Sequence, residues 1–212
     1  MGFYAEQLFA RGMDWIMGGA HFQKERETAL APAFGEVLEI GFGTGLNLPH
    51  YPEEVNSLTA VEPENMLARR VEKRIAAARM PVRREILSAE GLPFEDKRFD
   101  CVVSTWTLCT IPDLDAALKE AGRVLRPGGK FIFLEHGRSD DERIAKWQDR
   151  LNPIQKLFGY GCNMNRKIDD FLRKAGLKIT QLDRFRMPKT PRLQGEMYRG
   201  VAEVEGQAAK AD

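Results

Sequence analysis

The chain of 212 residues carries 32 basic and 31 acidic side chains, and its formal net charge is +1. This length suits one α/β domain with a large core, and the balanced charge leaves no basic face for a nucleic-acid backbone, so nucleic acid is excluded as a partner. The cysteines Cys101, Cys109 and Cys162 show no C-x-x-C spacing, which predicts neither disulfides nor a metal site and fits the reducing cytoplasm.

The first 30 residues are predicted to form a helical cover. Apolar residues lie there among charged ones, which is typical of an amphipathic helix: Phe3, Leu8, Phe9, Trp15 and Ile16. Three roles are open, because this helix could close over a cofactor as a lid, cover the core, or lie on a membrane surface. The longest uncharged stretch, 15–22, is well short of the ~20 residues of a membrane span, so we expect no transmembrane anchor.

Beyond residue 35, short apolar runs alternate with helix-like segments, which predicts βαβ units and a mostly parallel sheet. The predicted strands are 36–40, 58–62, 82–87, 99–104, 130–135, 177–185 and 196–204, the last two being an antiparallel pair. The predicted helices are 65–78, 113–125, 140–160 and 166–175. Asp113 is the predicted N-cap, 126–129 a turn and Gly176 a C-cap. The basic residues of 69–74 are expected to form a solvated face, and 205–212 a disordered tail.

The first strand runs into three closely spaced glycines, Gly41, Gly43 and Gly45. Glycine tolerates positive φ and has no side chain, so the backbone can turn tightly and approach a ligand. Glu62 ends the next strand 17 positions after Gly45, where a carboxylate can accept the hydroxyls of a ribose. The third glycine of a G-x-G-x-x-G dinucleotide motif is missing, since positions 46 and 48 are leucines, and NAD is therefore disfavoured.

The E-x-G-x-G-x-G pattern of 39–45 resembles motif I of the class I S-adenosylmethionine (SAM)-dependent methyltransferases. The segments 88–94, 99–103 and 123–129 are similar to signatures of the branch that contains the ubiquinone/menaquinone methyltransferases. The resemblance implies a Rossmann-like α/β fold over 1–204, with a seven-stranded, mostly parallel sheet, an antiparallel last strand and helices on both faces. It also implies SAM as cofactor and S-adenosyl-L-homocysteine as product.

In that family the glycine loop passes under the amino-acid end of SAM, and the acid at position 62 holds the ribose. The implied cofactor-binding residues are Glu39, Gly41, Phe42, Gly43, Thr44, Gly45, Asn47, Leu48, Glu62, Pro63, Met66, Ser88, Ala89, Glu90, Thr105 and Trp106. Many relatives carry an aspartate at position 88 that binds the adenine amino group. Ser88 implies a weaker contact, or one made by Glu90 or by backbone.

A narrower resemblance, to the thiol S-methyltransferases, comes from 107–110, 134–136, Trp147-Gln148 and the G-C-N-x-x-R element at 161–166. It implies a small-molecule acceptor, most simply a thiol or hydrogen sulfide. The alternatives are a phospholipid amine or a quinone carbon. Two alternative functions belong to different classes: a SAM-binding module without catalysis, and an oxidoreductase. The chain would be a monomer or a homodimer.

Three residues near the end of the fifth strand are candidates for catalysis. His136 follows that strand at the edge where α/β sheets bind ligands, and it could act as a base or cap local carbonyls. Asn163 and Arg166 could contact the acceptor, and Asn163 could instead cap the helix near 166. Cys109 and Cys162 are expected to line or pack the pocket, because methyl transfer needs no cysteine nucleophile.

Overall fold

The computed structural model describes residues 3–64 and 67–204, and the side chains of 3–7 and 9 are not described. Seven strands form one sheet: β1 Gly35–Ile40, β2 Val55–Val61, β3 Val82–Glu85, β4 Phe99–Thr105, β5 Leu125–His136, β6 Leu177–Arg186 and β7 Glu196–Val204. The helices are α1 Phe3–Met17, α2 Ala20–Leu30, α3 Ala68–Ala76, α4 Leu114–Val124, α5 Glu142–Phe158 and α6 Ile168–Lys174. None of these described helices has the length and apolar character needed to cross a bilayer.

The strand order across the sheet is β3-β2-β1-β4-β5-β7-β6. The first five strands pair in parallel, whereas β7 is antiparallel to both β5 and β6. Because the parallel strands point the same way, β1 to β5 all end at one edge of the sheet, where such folds bind ligands. The predicted fold class, including the antiparallel last strand, is confirmed.

Both faces of the sheet are covered, which explains why consecutive residues of its central strands β1 and β4 are buried. Side chains alternate between the faces, so that Leu38 packs in the cluster that contains α4 and α6. Its neighbour Val37 packs in the cluster with Leu30 of α2 and Val71 of α3. The carboxyl edge is therefore flanked by α2 and α3 on one face and by α4 on the other.

Several predicted boundaries are wrong by a few residues. Strand β2 begins three residues earlier than predicted, and α3 ends at Ala76, two residues before the predicted end at 78. The predicted start of α3 at 65 lies outside the described residues. Strand β5 begins at Leu125 and not at 130, because Leu125 already pairs with Phe99 of β4. The predicted turn at 126–129 is an irregularity inside this strand, before the next pair, Cys101 with Lys130. Asp113 caps α4 by accepting a bond from Ala116 N, and Gly176 ends α6 with a φ of +77°, as predicted. The predicted tail at 205–212 lies outside the described residues.

Candidate active site

The loop after β1 has one packed face and one open face. Gly41, Gly43 and Gly45 all have positive φ values, at 76°, 53° and 78°. A Cβ on Gly41 would lie 2.0 Å from Thr107 Oγ1, so this glycine allows close packing against the loop after β4. A Cβ on Gly43 would meet nothing within 4 Å. The loop backbone is thus accessible at Gly43, which fits the approach of a ligand.

Glu62 follows β2 and points its carboxylate at this loop. Its Oε2 accepts a hydrogen bond from Gly43 N at 2.9 Å. Burial raises the pKa of Glu62, although bonds from the backbone of Gly43 and Glu64 oppose the shift. The predicted ribose acid and the open glycine therefore lie side by side. Pro63, also implied in the site, is exposed beside them, and Met66 lies outside the described residues.

A buried polar network supports the loop from behind. Asn47 Nδ2 donates to Glu39 Oε1 at 2.8 Å and to Thr105 Oγ1 at 3.0 Å, and Tyr51 OH donates to Glu39 Oε2 at 2.7 Å. Burial raises the pKa of Glu39 to about 7. Both oxygens of Glu39 are used within the protein, so its contact with a cofactor stays a prediction. Phe42 and Leu48, also implied in the site, are core side chains.

Arg26 of α2 joins this network, and the sequence analysis missed it. Its Nε donates to Asn47 Oδ1 at 3.1 Å, and its guanidinium lies 4.6 Å from the centre of the Trp106 ring. Arg26 is only 4% exposed, and burial lowers its pKa to about 10. The sequence contained a signal for its burial, because Arg26 lies four residues from both Phe22 and Leu30 and therefore on the same buried face of α2.

Asp14 fastens α1 to the glycine loop. It pairs with Arg70 and with Arg74, the latter at 2.6 Å, and it accepts a bond from the Thr44 hydroxyl. Arg74 also donates to Thr44 O at 2.7 Å. Burial would raise the pKa of Asp14, but these hydrogen bonds hold it below its ordinary value. The predicted solvated basic face is therefore wrong for the partly buried Arg74, whereas Arg70 is exposed and also pairs with Asp14. These contacts place α1 over the loop.

The segment after β3 holds the residues implied for adenine. Ser88 is exposed and its hydroxyl donates to Glu90 Oε2 at 2.9 Å, while Ala89 is buried. Glu90 Oε1 accepts a bond from Asp113 N at 2.7 Å. Glu90 thus links this segment to the start of α4. Its contact with adenine stays a prediction, as does that of Ser88.

At the end of β5, His136 meets two cysteines. Its Nε2 lies 3.1 Å from Cys162 Sγ, which lies 3.6 Å from Cys109 Sγ. Contacts with Cys109 and His136 lower the pKa of Cys162, and the contact between the two thiols together with burial raises the pKa of Cys109. The buried Nδ1 of His136 has no hydrogen-bond partner among the described residues. His136 therefore faces cysteines, where the sequence predicted either a base or a backbone cap.

Asn163 and Arg166 brace the loop that carries Cys109. Asn163 Nδ2 donates to Cys109 O at 2.9 Å and to Gly161 O at 3.0 Å, and Arg166 Nη1 donates to Leu108 O. The alternative role of Asn163 as a helix cap is wrong, because α6 begins after Lys167 without a side-chain cap. Burial lowers the pKa of Arg166, while nearby Cys109, Cys162 and Glu135 oppose the shift. Direct contacts with an acceptor stay a prediction.

Glu135 of β5 is a buried acid that was not among the predicted site residues. Its Oε1 accepts bonds from Ser104 Oγ at 2.7 Å and from Thr107 N at 3.1 Å, while Oε2 has no partner among the described residues. Burial raises its pKa to about 7. A carboxylate directly after the buried apolar run 131–134 was the available signal. Glu135 anchors the loop after β4 from the β5 side.

Comparisons with known proteins identify the domain. Residues 38–133 match a family described as a methyltransferase domain. The chain is 32% identical over 156 residues to the human thiol S-methyltransferase TMT1A, covering 72% of this chain and 64% of that protein. It is 33% identical over 128 residues to a phosphatidylethanolamine N-methyltransferase of Cereibacter sphaeroides, covering 59% and 63%. The chain thus spans less than two thirds of the length of these two relatives.

A solved structure gives the same result for the whole fold. The SAM-dependent methyltransferase from Thermotoga maritima superposes with a TM-score of 0.61 at 25% identity. The match covers 94% of this chain and 90% of that one. It extends the likeness beyond 38–133 to the flanking helices and the last strands.

Proposed function

We propose that this chain, which belongs to the class I SAM-dependent methyltransferases, methylates the sulfur of a small thiol or of hydrogen sulfide. The observation that carries the proposal is the arrangement at the carboxyl edge of the sheet. There the open face of Gly43 and the carboxylate of Glu62 lie beside one another, and the loop after β4 joins them to a polar cluster at the end of β5.

We assign the cofactor to the first half of this edge. SAM supplies a methyl group already activated by the positive charge on its sulfur. Glu62 would accept hydrogen bonds from the ribose hydroxyls, and the backbone of 41–45 would approach the amino-acid end. The open space at Gly43 and the adjacent partly exposed carboxylate fit such a ligand. The Asp14 contacts place α1 over the loop, which supports its role as a lid.

We assign the acceptor to the second half, near Cys109, His136 and Cys162. A thiol of pKa ~8.5 is already a few per cent ionised near neutral pH and is a strong nucleophile. The pocket therefore has to orient the sulfur and favour its anion, and alignment alone can supply ~7–11 kcal/mol of the barrier. Arg166 suits the second task, because its half-buried guanidinium interacts electrostatically with both cysteines.

A phospholipid amine is the second candidate acceptor, and the identity of 33% with the phosphatidylethanolamine N-methyltransferase favours it. A protonated amine must lose its proton before it can attack a methyl group, so this reaction requires a committed base. His136 is engaged with Cys162 through Nε2, which disfavours that role. A quinone carbon would need a base as well, because the carbon has to lose its proton when it is methylated.

The test is a turnover screen in which the full chain and SAM are incubated with thiols, sulfide, amines, phosphatidylethanolamine vesicles and quinols. Products are identified by mass spectrometry, and reactions without the chain and reactions without SAM give the background. We expect S-methyl products and a rate that rises with pH as the acceptor thiol ionises. Methylation of amines or quinols without thiol turnover would refute the acceptor. SAM binding by calorimetry without turnover of any acceptor class would indicate a binding module.

A further inference from the structure

Two cysteines and a histidine converge from three separate parts of the chain. Cys109 lies in the loop after β4, His136 ends β5, and Cys162 follows α5. Their Sγ and ring nitrogen atoms all lie within 4.8 Å of one another. The residues are 26 or more positions apart in the sequence, so no spacing motif predicts this cluster, and a metal site was not expected from the cysteine spacing. We call these three residues the Cys2His cluster.

We propose that the Cys2His cluster binds one Zn²⁺ ion and that the ion's fourth position takes the sulfur of the thiol acceptor. The second part rests on the proposed function. Zinc bound tetrahedrally, with Zn–S of about 2.3 Å and Zn–N of about 2.0 Å, separates its ligand atoms by roughly 3.5–3.8 Å. The Sγ–Sγ distance of 3.6 Å matches this geometry, and the distance of 3.1 Å from His136 Nε2 to Cys162 Sγ requires a shift of a few tenths of an ångström. The third pair, His136 with Cys109, lies within 4.8 Å and has to reach the same range when the ion binds.

The donor set and its burial also favour zinc. Thiolate and imidazole ligands select zinc and related soft ions over magnesium or calcium. Cys109 is 2% and His136 8% exposed, so two ligands are fixed in the interior, whereas the partly buried Cys162 leaves the cluster within reach of a ligand. Three protein ligands with an open fourth position are typical of catalytic zinc sites, while structural sites use four.

Residues around the Cys2His cluster hold it in place and balance its charge. Asn163, the neighbour of Cys162, donates to Cys109 O and thereby ties the two cysteine segments together. Arg166 donates to the adjacent Leu108 O, and its positive charge would offset one of the two thiolates. Outer contacts of this kind orient metal ligands. Asn163 and Arg166 therefore act as positioning residues for the ligand Cys109.

The cluster adjoins the cofactor half of the edge. Thr107, two residues before Cys109, places Oγ1 3.4 Å from Gly41 O. An acceptor thiol would bind as the thiolate and release its proton to solvent. Its sulfur would then form the new S–CH₃ bond as the bond between the methyl group and the sulfonium sulfur breaks, leaving neutral S-adenosyl-L-homocysteine and a thioether. A thioether binds zinc weakly, which would favour product release.

The first test measures metal binding without SAM or acceptor. The full chain is loaded with Zn²⁺, freed of excess metal, and its zinc content is determined by elemental mass spectrometry. The variants are Cys109→Ala and Cys162→Ala, and Cys101→Ala is the matched control, since Cys101 is buried in β4 outside the cluster. We expect one zinc per chain in the wild type and the control, and at least tenfold weaker binding in both cluster variants by chelator competition.

Cobalt substitution tests the same site in the unmodified chain, so the result holds even if an alanine variant fails to fold. Co²⁺ should produce the intense near-ultraviolet absorption of thiolate ligation, and adding a thiol should change the visible spectrum. No zinc in the loaded wild type, or full retention in both cluster variants, would overturn the proposal. A Cys109–Cys162 disulfide in protein purified without reductant, with no metal bound, would instead identify a redox pair.

These outcomes are separable from those of the turnover screen. If zinc binds but only amines are methylated, the metal site stands and the thiol function fails. If thiols are methylated at the full rate by metal-free enzyme, the thiol function stands and the proposal for the fourth position is overturned.

Discussion

Replacing glycine by alanine at Gly43 and at Gly176 separates backbone strain from contact with the cofactor. Both have positive φ, at 53° and 77°, and a Cβ on either would meet nothing within 4 Å. Replacing either by alanine should cost about 1–2 kcal/mol, because an L-residue is strained in the left-handed region. For a chain of this size that corresponds to a fall in Tm of roughly 2–8 °C. The two variants should therefore be destabilised alike.

Their affinities for SAM should nevertheless differ. Gly176 lies at the end of α6, whereas the open face of Gly43 adjoins Glu62. If SAM fills that space, the new methyl group overpacks the complex by about 1–3 kcal/mol, which weakens binding roughly 5- to 150-fold. Gly176→Ala should bind SAM as the wild type does.

The measurement is SAM titration by calorimetry on both variants, alongside thermal unfolding to confirm the equal strain. Wild-type affinity in Gly43→Ala would refute the assignment of this face to the cofactor. Equal losses in both variants would mean that general strain, and not contact with the ligand, controls binding.

Three further predictions concern the acids of the site. Glu62→Gln should weaken SAM binding by ~1.5–3 kcal/mol, since charge-assisted hydrogen bonds are lost, and unchanged calorimetric affinity would remove Glu62 from the ribose site. Asp14→Asn should release α1, so that SAM-dependent protection of 10–17 in hydrogen exchange disappears; protection equal to that of the wild type would contradict a lid held by Asp14. Burial raises the pKa of Glu39 to about 7, although hydrogen bonds from Tyr51 and Asn47 and the charge of Arg26 oppose the shift, so the folded state retains a proton that the unfolded chain loses. The contribution of Glu39 to the free energy of unfolding should fall by about 3 kcal/mol as the pH rises from about 4.5 to 7. Denaturant unfolding measured at several pH values should show this fall in the wild type and a flatter pH dependence in Glu39→Gln.

The cofactor half of the site could be predicted because its signals are local. The glycine loop and Glu62 belong to consecutive strands, and parallel pairing of β1 with β2 brings their ends together wherever the rest of the chain lies. Arg26 and Asp14 could not be found in the same way. Their partners in the site, Asn47 and Thr44, lie 21 and 30 positions away, and these contacts depend on how α1 and α2 dock on the sheet.

The acceptor half shows the limit of spacing as a guide. The sequence spacings from Cys109 to His136 and from His136 to Cys162 match no metal-ligand motif. The strand β5 lies within the first interval and α5 within the second. Topology brings these residues together: β4 and β5 are adjacent, and the segment after α5 bonds back to the loop after β4 through Asn163. A pattern assembled by strand order is visible only once that order is known.

The loop after β4 connects the two halves of the site. Thr105, the last residue of β4, shares a hydrogen bond with Asn47 behind the glycine loop. In the loop that follows, the Thr107 hydroxyl donates to Gly41 O, and the thiol of Cys109 contacts the thiol of Cys162. Trp106, between Thr105 and Thr107, has a φ of +51°, a conformation that costs about 1–3 kcal/mol and persists only where packing enforces it. Arg26 and Phe22 of α2 supply that packing. Because the strained turn sets the position of Thr107 and Cys109 together, the α2 contacts would fix the separation between methyl donor and acceptor without touching either.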